Sequence, residues 1–129
     1  MASSISDYYE NKILDHMLRA QAFTPPSTVY VALYTVSPSD SGGGTEVSGG
    51  SYQRQSVTFS AASGGSISNS ADITFPQATA NWGTIVAVGL FDAQTAGNLL
   101  WYGDLTTSKT VNSGDIFKIS AGNLTVSVD

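Results

Sequence analysis

The sequence predicts a mainly β protein, an antiparallel β-sandwich or jelly-roll-like domain with one N-terminal α-helix. Only one segment, near the N-terminus, repeats apolar residues with helical spacing. The rest of the chain alternates short runs of β-branched and aromatic residues with turns rich in Gly, Ser and Asn. Charged residues make up 12% of the 129 residues, about half of the usual share, so the long side chains that favour helices are scarce.

The helix is predicted from Ser6 to about Gln21, because apolar residues recur every three or four positions, at Tyr9, Ile13, Met17 and Ala20. Ser4 or Ser6 is suited to cap its first turn, and Pro25 and Pro26 prevent its continuation. We therefore expect residues 1–26 to form a helix with a Pro-Pro connector and residues 27–129 to form the β-sandwich domain.

Two segments of the predicted β domain, residues 28–36 and 85–91, are apolar on both faces and are expected to form central strands. Five shorter strands are predicted at residues 52–59, 73–75, 99–105, 116–120 and 124–128. Residues 37–50 and 60–70 are predicted to be polar loops. Seven or eight short strands in one chain of this size favour a sandwich, a jelly roll or a barrel.

The charge of the chain excludes some classes of partner. Five basic residues are scattered among ten acidic ones, so we expect no nucleic-acid partner and no binding to an anionic membrane. No apolar run approaches the ~20 residues of a transmembrane helix, and the N-terminus lacks a secretory signal, which predicts synthesis in a cytoplasm.

The sequence contains no recognisable catalytic motif. The only histidine, His16, lies beside Asp15 on the predicted helix, and no nucleophile elbow accompanies it. Each of four other aspartates lies at a strand end or in a turn, where Asp is favoured for local reasons: Asp72, Asp92, Asp104 and Asp115. We therefore predict no enzyme, no cofactor and no metal site, although whether an ion binds the loop at residues 40–46 stays open.

Seven residues are candidates for an interface: Tyr8, Tyr9, Ile13, Met17, Arg54, Trp82 and Trp101. The helical ones belong to an apolar stripe wider than a lid on a small domain needs, which predicts contact with a second surface. Arg54 lies in a predicted strand and either pairs with a carboxylate at a subunit junction or faces solvent on an edge strand. The two tryptophans serve as core residues or as interface anchors.

Several stretches resemble a family of small virion structural proteins of tailed bacteriophages, called capsid decoration (cement) or tail fibre proteins. They include YENKILDH at residues 9–16, VYVALYT at 29–35, TEVSGGSYQR at 45–54, ITFPQATANWGT at 73–84 and LTTSKTVNSGD at 105–115. The resemblance implies a non-enzymatic component of the virion, made in the host cytoplasm.

Between the roles in this family, the shortness of the chain and its lack of repeats favour capsid decoration over a fibre. In that role a homotrimer on the outer capsid surface would bridge and stabilise subunits of the major capsid protein. The alternatives are a tail fibre or baseplate component involved in host attachment and, in third place, a carbohydrate-binding module.

Overall fold

The computed structural model describes residues 3–128, which contain one α-helix and ten β-strands. The helix, α1, spans Asp7–Arg19. The strands are β1 (Ser4–Ile5), β2 (Val29–Val36), β3 (Thr45–Glu46), β4 (Gln55–Val57), β5 (Ser66–Ser68), β6 (Ile73–Thr74), β7 (Gly83–Phe91), β8 (Leu99–Val111), β9 (Lys118–Ile119) and β10 (Thr125–Ser127).

Six of the strands form one antiparallel sheet in the order β1-β8-β7-β2-β3, with β4 paired to β2 beside β3. Strands β2 and β7 lie at its centre, where Tyr30 faces Phe91 and Tyr34 faces Ala87. Because β2 and β7 lie at the centre of the sheet and have buried side chains on both faces, the prediction of two central strands is confirmed.

One face of this sheet, the packed face, is covered by two smaller sheets that pair β5 with β10 and β6 with β9. The core between the layers contains alternate residues of the central strands, such as Val31 and Leu33, and aromatic residues from the second layer, Phe75 and Phe117. The predicted mainly β fold with antiparallel sheets and one helix is confirmed, in a sandwich-like arrangement.

The opposite face, the open face, has a much smaller apolar cluster of Ala32, Tyr34, Ala87, Phe91 and Leu99. It is flanked by the glycine-rich segment 40–44 and by the β7–β8 turn at residues 92–98 rather than by a second sheet. Two of its five members are alanines, so little apolar surface is buried here in comparison with the packed face.

Three strands lie where the sequence predicted none: β1, β3 and β5 are each two or three residues long and have no apolar alternation. Each is held by backbone pairing to a neighbour, as Ser4 is to Tyr102. Strand β8 extends to Val111 rather than to residue 105, because Thr-rich residues without an apolar pattern still pair with the start of β7.

The helix begins and ends close to the predicted positions. Ser6 is the N-cap, and Ala20 ends the helix in the left-handed region with φ 56°, five residues before Pro25. This helix is not long and apolar enough to cross a lipid bilayer.

Candidate functional site

The start of α1 is fixed firmly to the β domain. The Ser6 hydroxyl donates to the Leu99 carbonyl at 2.5 Å and accepts from the Tyr9 amide at 3.2 Å. The Asp7 amide donates to the Asp40 carbonyl at 2.9 Å. The first turn of the helix is therefore attached both to β8 and to the loop that follows β2.

Apart from these backbone and cap bonds, α1 contacts the domain mainly through one aromatic side chain of its first turn, Tyr9. Tyr9 packs edge-to-face on Trp101, with ring centroids 5.1 Å apart, and on Phe23 at 5.7 Å. No side chain of the helix is fully buried. The helix therefore lies on the edge of the domain and contributes little to its core.

The outer face of α1 consists of Leu14, Met17 and Leu18, which are 53%, 70% and 77% exposed. At ~100° per residue, Leu14 and Leu18 project from the side of the helix away from Tyr9, and Met17 lies between the two directions. Asp15 and Arg19, which pair at 3.1 Å, project in another direction, whereas Asp7, Glu10 and Asn11 lie on the same side as this apolar face, nearer the N-terminus of the helix. The outer face is thus a continuous apolar surface without a partner in the described chain.

The helical interface candidates are graded in exposure. Tyr8 and Met17 are exposed, whereas Tyr9 and Ile13 are half-buried. Their role in an interface stays a prediction. Leu14 and Leu18 belong to the same wide apolar stripe of the predicted helix and are more exposed than most of the seven candidates.

The two tryptophans lie inside the protomer. Trp82 is buried in the core, where its indole N–H donates to the Gly50 carbonyl at 2.9 Å. Trp101 is half-buried beneath Tyr9. Trp82 therefore has a structural role in this chain, and Trp101 is the residue on which α1 rests.

Arg54 is not solvent-facing, and the carboxylate that it binds belongs to its own chain; a place at an interface stays a prediction. It precedes β4 and is buried, and its Nε and Nη2 donate to the two carboxylate oxygens of Glu46, both at 2.9 Å. Its Nη1 donates to the carbonyls of Ala93 and Ala96 at 2.9 and 2.7 Å. The guanidinium also lies 3.7 Å above the ring centroid of Phe91.

The Arg54–Glu46 pair joins three segments of the open face. Tyr52 donates to Glu46 Oε2 at 2.6 Å and accepts from the Leu33 amide at 3.0 Å, which ties the pair to β2. The bonds to Ala93 and Ala96 hold the β7–β8 turn in the same cluster. The β7–β8 turn and the segment before β4 carry few apolar side chains. The hydrogen bonds of the ion pair are therefore a main source of their fixed position.

The charges in this network stabilise one another. Burial acts to raise the pKa of Glu46, but hydrogen bonds from Arg54 and Tyr52 outweigh it and hold the pKa below its ordinary value. Burial and the hydrogen bond to Glu46 raise the pKa of Tyr52. Burial, with the charge of Glu46, raises the pKa of Tyr34 to about 12, so its phenol is neutral at physiological pH.

The carboxylates of the loop at residues 40–46 point to different partners. Glu46 is bound by Arg54, whereas Asp40 lies with Asp7 and Glu10, their carboxylate oxygens all within 4.8 Å of one another. His16 is exposed, and its Nδ1 lies 3.0 Å from the Gln21 carbonyl at the end of the helix. Among residues 3–128, no acidic side chain is placed to orient His16 as a catalytic base: its neighbour Asp15 pairs with Arg19.

Comparison with known protein families identifies the family of this chain. Residues 4–127 match the family described as podophage GP4 fiber I protein gp80, so the match includes α1, both layers of strands and the Arg54 network. No curated protein matches the chain. The resemblance to small virion proteins of tailed phages is therefore confirmed. The chain belongs to the podophage GP4 fiber I protein family, whose members are structural components of the virion.

Proposed function

We propose that the protein is a non-enzymatic fibre component of a podophage virion and that it docks on a neighbouring virion protein through the outer face of α1. The observation that carries this proposal is the exposure of Leu14, Met17 and Leu18 on a helix that the domain itself hardly uses. Full burial of a fully exposed Leu or Met side chain is worth about 1.5–3 kcal/mol, and burying the exposed half to three-quarters of each of these three side chains contributes a corresponding part of that.

The attachment of α1 to the β domain through its first turn supports docking on a partner rather than a role in covering the core of its own domain. Its first turn is fixed by Ser6 and Asp7, so the helix is presented in a defined direction without being buried. A preorganised helix loses less conformational entropy on binding than a free segment would. The outer face therefore has the geometry of a helix that enters an apolar groove on a partner.

The family description supports the fibre over capsid decoration. The lack of repeats, which favoured capsid decoration, weighs little if the chain is one module of a fibre built from several chains. Docking on the major capsid protein remains the alternative. Either location is consistent with a virion component.

We further propose that copies of the chain associate as a homotrimer. Three copies would present three outer faces to the partner, and linked weak contacts bind with a shared effective concentration. Light scattering of the purified protein should give three times the protomer mass of 13.4 kDa. A mass equal to that of one protomer would contradict the trimer.

The docking surface is tested with the double variant Leu14→Gln and Leu18→Gln in the full chain. Both side chains are exposed, so the melting temperature should stay unchanged, while binding to purified particles that lack this protein should weaken at least tenfold. Ile116→Gln is the matched control, because Ile116 is 58% exposed in the turn between β8 and β9.

Unchanged binding by the double variant would overturn docking through α1. Binding weakened equally by Ile116→Gln would also overturn it, since a general loss of apolar surface would then explain the result. Cross-linking of the bound wild-type protein to a fibre-associated neighbour would support the fibre, and cross-linking to the major capsid protein would contradict it.

A further inference from the structure

A cavity of about 670 Å³ opens on the open face of the sheet. It lies between the first turn of α1, the loop after β2 with its three consecutive glycines, and the β7–β8 turn. The volume falls in the range of small-molecule sites, about 300–1,000 Å³. The outer face of α1, which docks on a partner in the proposed function, does not line this cavity.

The cavity is lined by a phenol that has no partner. Tyr34 is 4% exposed, stacks near Phe91, and makes no hydrogen bond through its hydroxyl to any residue from 3 to 128. No side-chain polar atom in that range is sealed from solvent without a partner, so the hydroxyl opens onto the cavity. A buried phenol in such a position is expected to find a hydrogen-bond partner.

Arg54 supplies a second free donor on the same wall. Of its five N–H groups, four donate to Glu46, Ala93 and Ala96, and one Nη2 hydrogen has no acceptor among the described residues. The side chain is 8% exposed and lines the cavity. The inner wall therefore offers the Tyr34 hydroxyl as a donor that the chain leaves unused, and it borders a guanidinium with one N–H that no described residue accepts.

The rim of the cavity offers acceptors. The carboxylates of Asp7 and Asp40 line it, with the exposed ring of Tyr8 beside them. The positive charge of Arg54 is already matched by Glu46, and at the rim Lys12, which lies over the Tyr8 ring, is outnumbered by the three carboxylates of Asp7, Glu10 and Asp40. The excess charge near a ligand is therefore negative and disfavours anions. A bare metal ion offers no acceptor to the Tyr34 hydroxyl hydrogen, whereas a ligand with hydroxyl groups can bind both this phenol and the carboxylates of the rim.

We propose that this cavity binds one unit of a neutral carbohydrate. Sugar hydroxyls accept and donate at the same atom, so a single ring can accept from the Tyr34 hydroxyl while it donates to Asp7 and to the free oxygen of Asp40, whose other oxygen accepts from Tyr102. The aromatic ring of Tyr8 at the rim gives the apolar face of a sugar a surface to pack on. The ligand class follows from this division of donors and acceptors within one small cavity.

The test is a titration of the ¹⁵N-labelled full chain, followed by amide chemical shifts, with D-glucose, D-galactose, D-mannose and N-acetyl-D-glucosamine at up to tens of millimolar. At least one of these sugars should shift the amides at residues 40–44 and 96–99. D-glucuronate and inorganic phosphate should bind more weakly than the best neutral sugar. Failure of all four sugars to shift these amides, or tighter binding of either anion, would overturn the proposal.

Two variants separate this site from the docking surface. Tyr34→Phe removes only the unpartnered hydroxyl and should weaken sugar binding about threefold to tenfold. Tyr30→Phe is the control, because Tyr30 lies on the same strand and does not line the cavity. Equal binding by Tyr34→Phe and wild type would contradict the assignment. Tyr34→Phe should still dock on particles, and the Leu14/Leu18 variant should still bind sugar, so each proposal fails independently of the other.

Discussion

The two faces of the main sheet are built in different ways. The packed face buries aliphatic side chains, among them Leu33 and Ile85, against a second layer that contributes aromatic side chains such as Phe75. The open face has alanines at Ala32 and Ala87 and is held by an ion pair and by hydrogen bonds to loop carbonyls. Stability comes mainly from the first face, whereas the second has the free polar groups and the space that recognition requires.

The largest effect is expected from a cavity made in the packed face. Phe75→Ala should lower the free energy of unfolding by about 3–5 kcal/mol, because Phe75 is 1% exposed and packs against Phe117 and Tyr52. Phe91→Ala on the open face should cost clearly less, since the ring adjoins an existing cavity. Urea unfolding of both variants measures the difference, and equal losses would break the distinction between the faces.

A smaller but still large effect is expected from the ion pair on the open face. Glu46→Gln should lower the free energy of unfolding by about 3 kcal/mol, the lower end for a broken buried pair, since Glu46 keeps a quarter of its side chain exposed. Arg19→Gln is the control, because the exposed Asp15–Arg19 pair should be worth no more than about 0.5 kcal/mol. A loss for Glu46→Gln no larger than that of the control would show that the loops are held by something else.

The same pair predicts how stability depends on pH. The pKa of Glu46 is lower in the folded protein than its ordinary value, so its contribution is complete above that ordinary value and is lost as the pH falls through the folded pKa. The melting temperature of the wild type should therefore fall on acidification by more than that of Glu46→Gln. Parallel curves for the two proteins would contradict this assignment of the acid sensitivity.

The smallest changes in the free energy of unfolding are expected from substituting two tyrosines near the Arg54–Glu46 pair. Tyr52→Phe should cost about 1.5–3 kcal/mol, because its hydroxyl bonds to a charged carboxylate and to the Leu33 amide. Tyr34→Phe should change the free energy of unfolding by less than about 0.5 kcal/mol, because its hydroxyl has no partner in the chain. A large loss for Tyr34→Phe would mean that its hydroxyl already serves the fold.

The sequence alone predicts those elements whose buried residues follow a regular apolar spacing. Residues 28–36 are apolar on both faces, so β2 is recognisable as a central strand, and the spacing of Tyr9, Ile13 and Met17 identifies α1. Strands β1 and β5 have no such pattern, since their pairing depends on partners far along the chain.

The open face could not be predicted for a related reason. Arg54 was recognised as an unusual charge, but its acceptors at Ala93 and Ala96 are backbone carbonyls about forty residues away, which no side-chain pattern reveals. Tyr34 lies in the segment predicted as a central strand, but the lack of a partner for its hydroxyl among residues 3–128 depends on the positions of loops far along the chain.

The central claim, a fibre component that docks through the outer face of α1, is tested most directly by cryo-electron microscopy of the intact virion. The account predicts density for this chain within a tail-associated fibre, with Leu14, Met17 and Leu18 buried against a neighbouring protein. Density on the outer capsid surface, or a fibre in which α1 faces solvent, would contradict it.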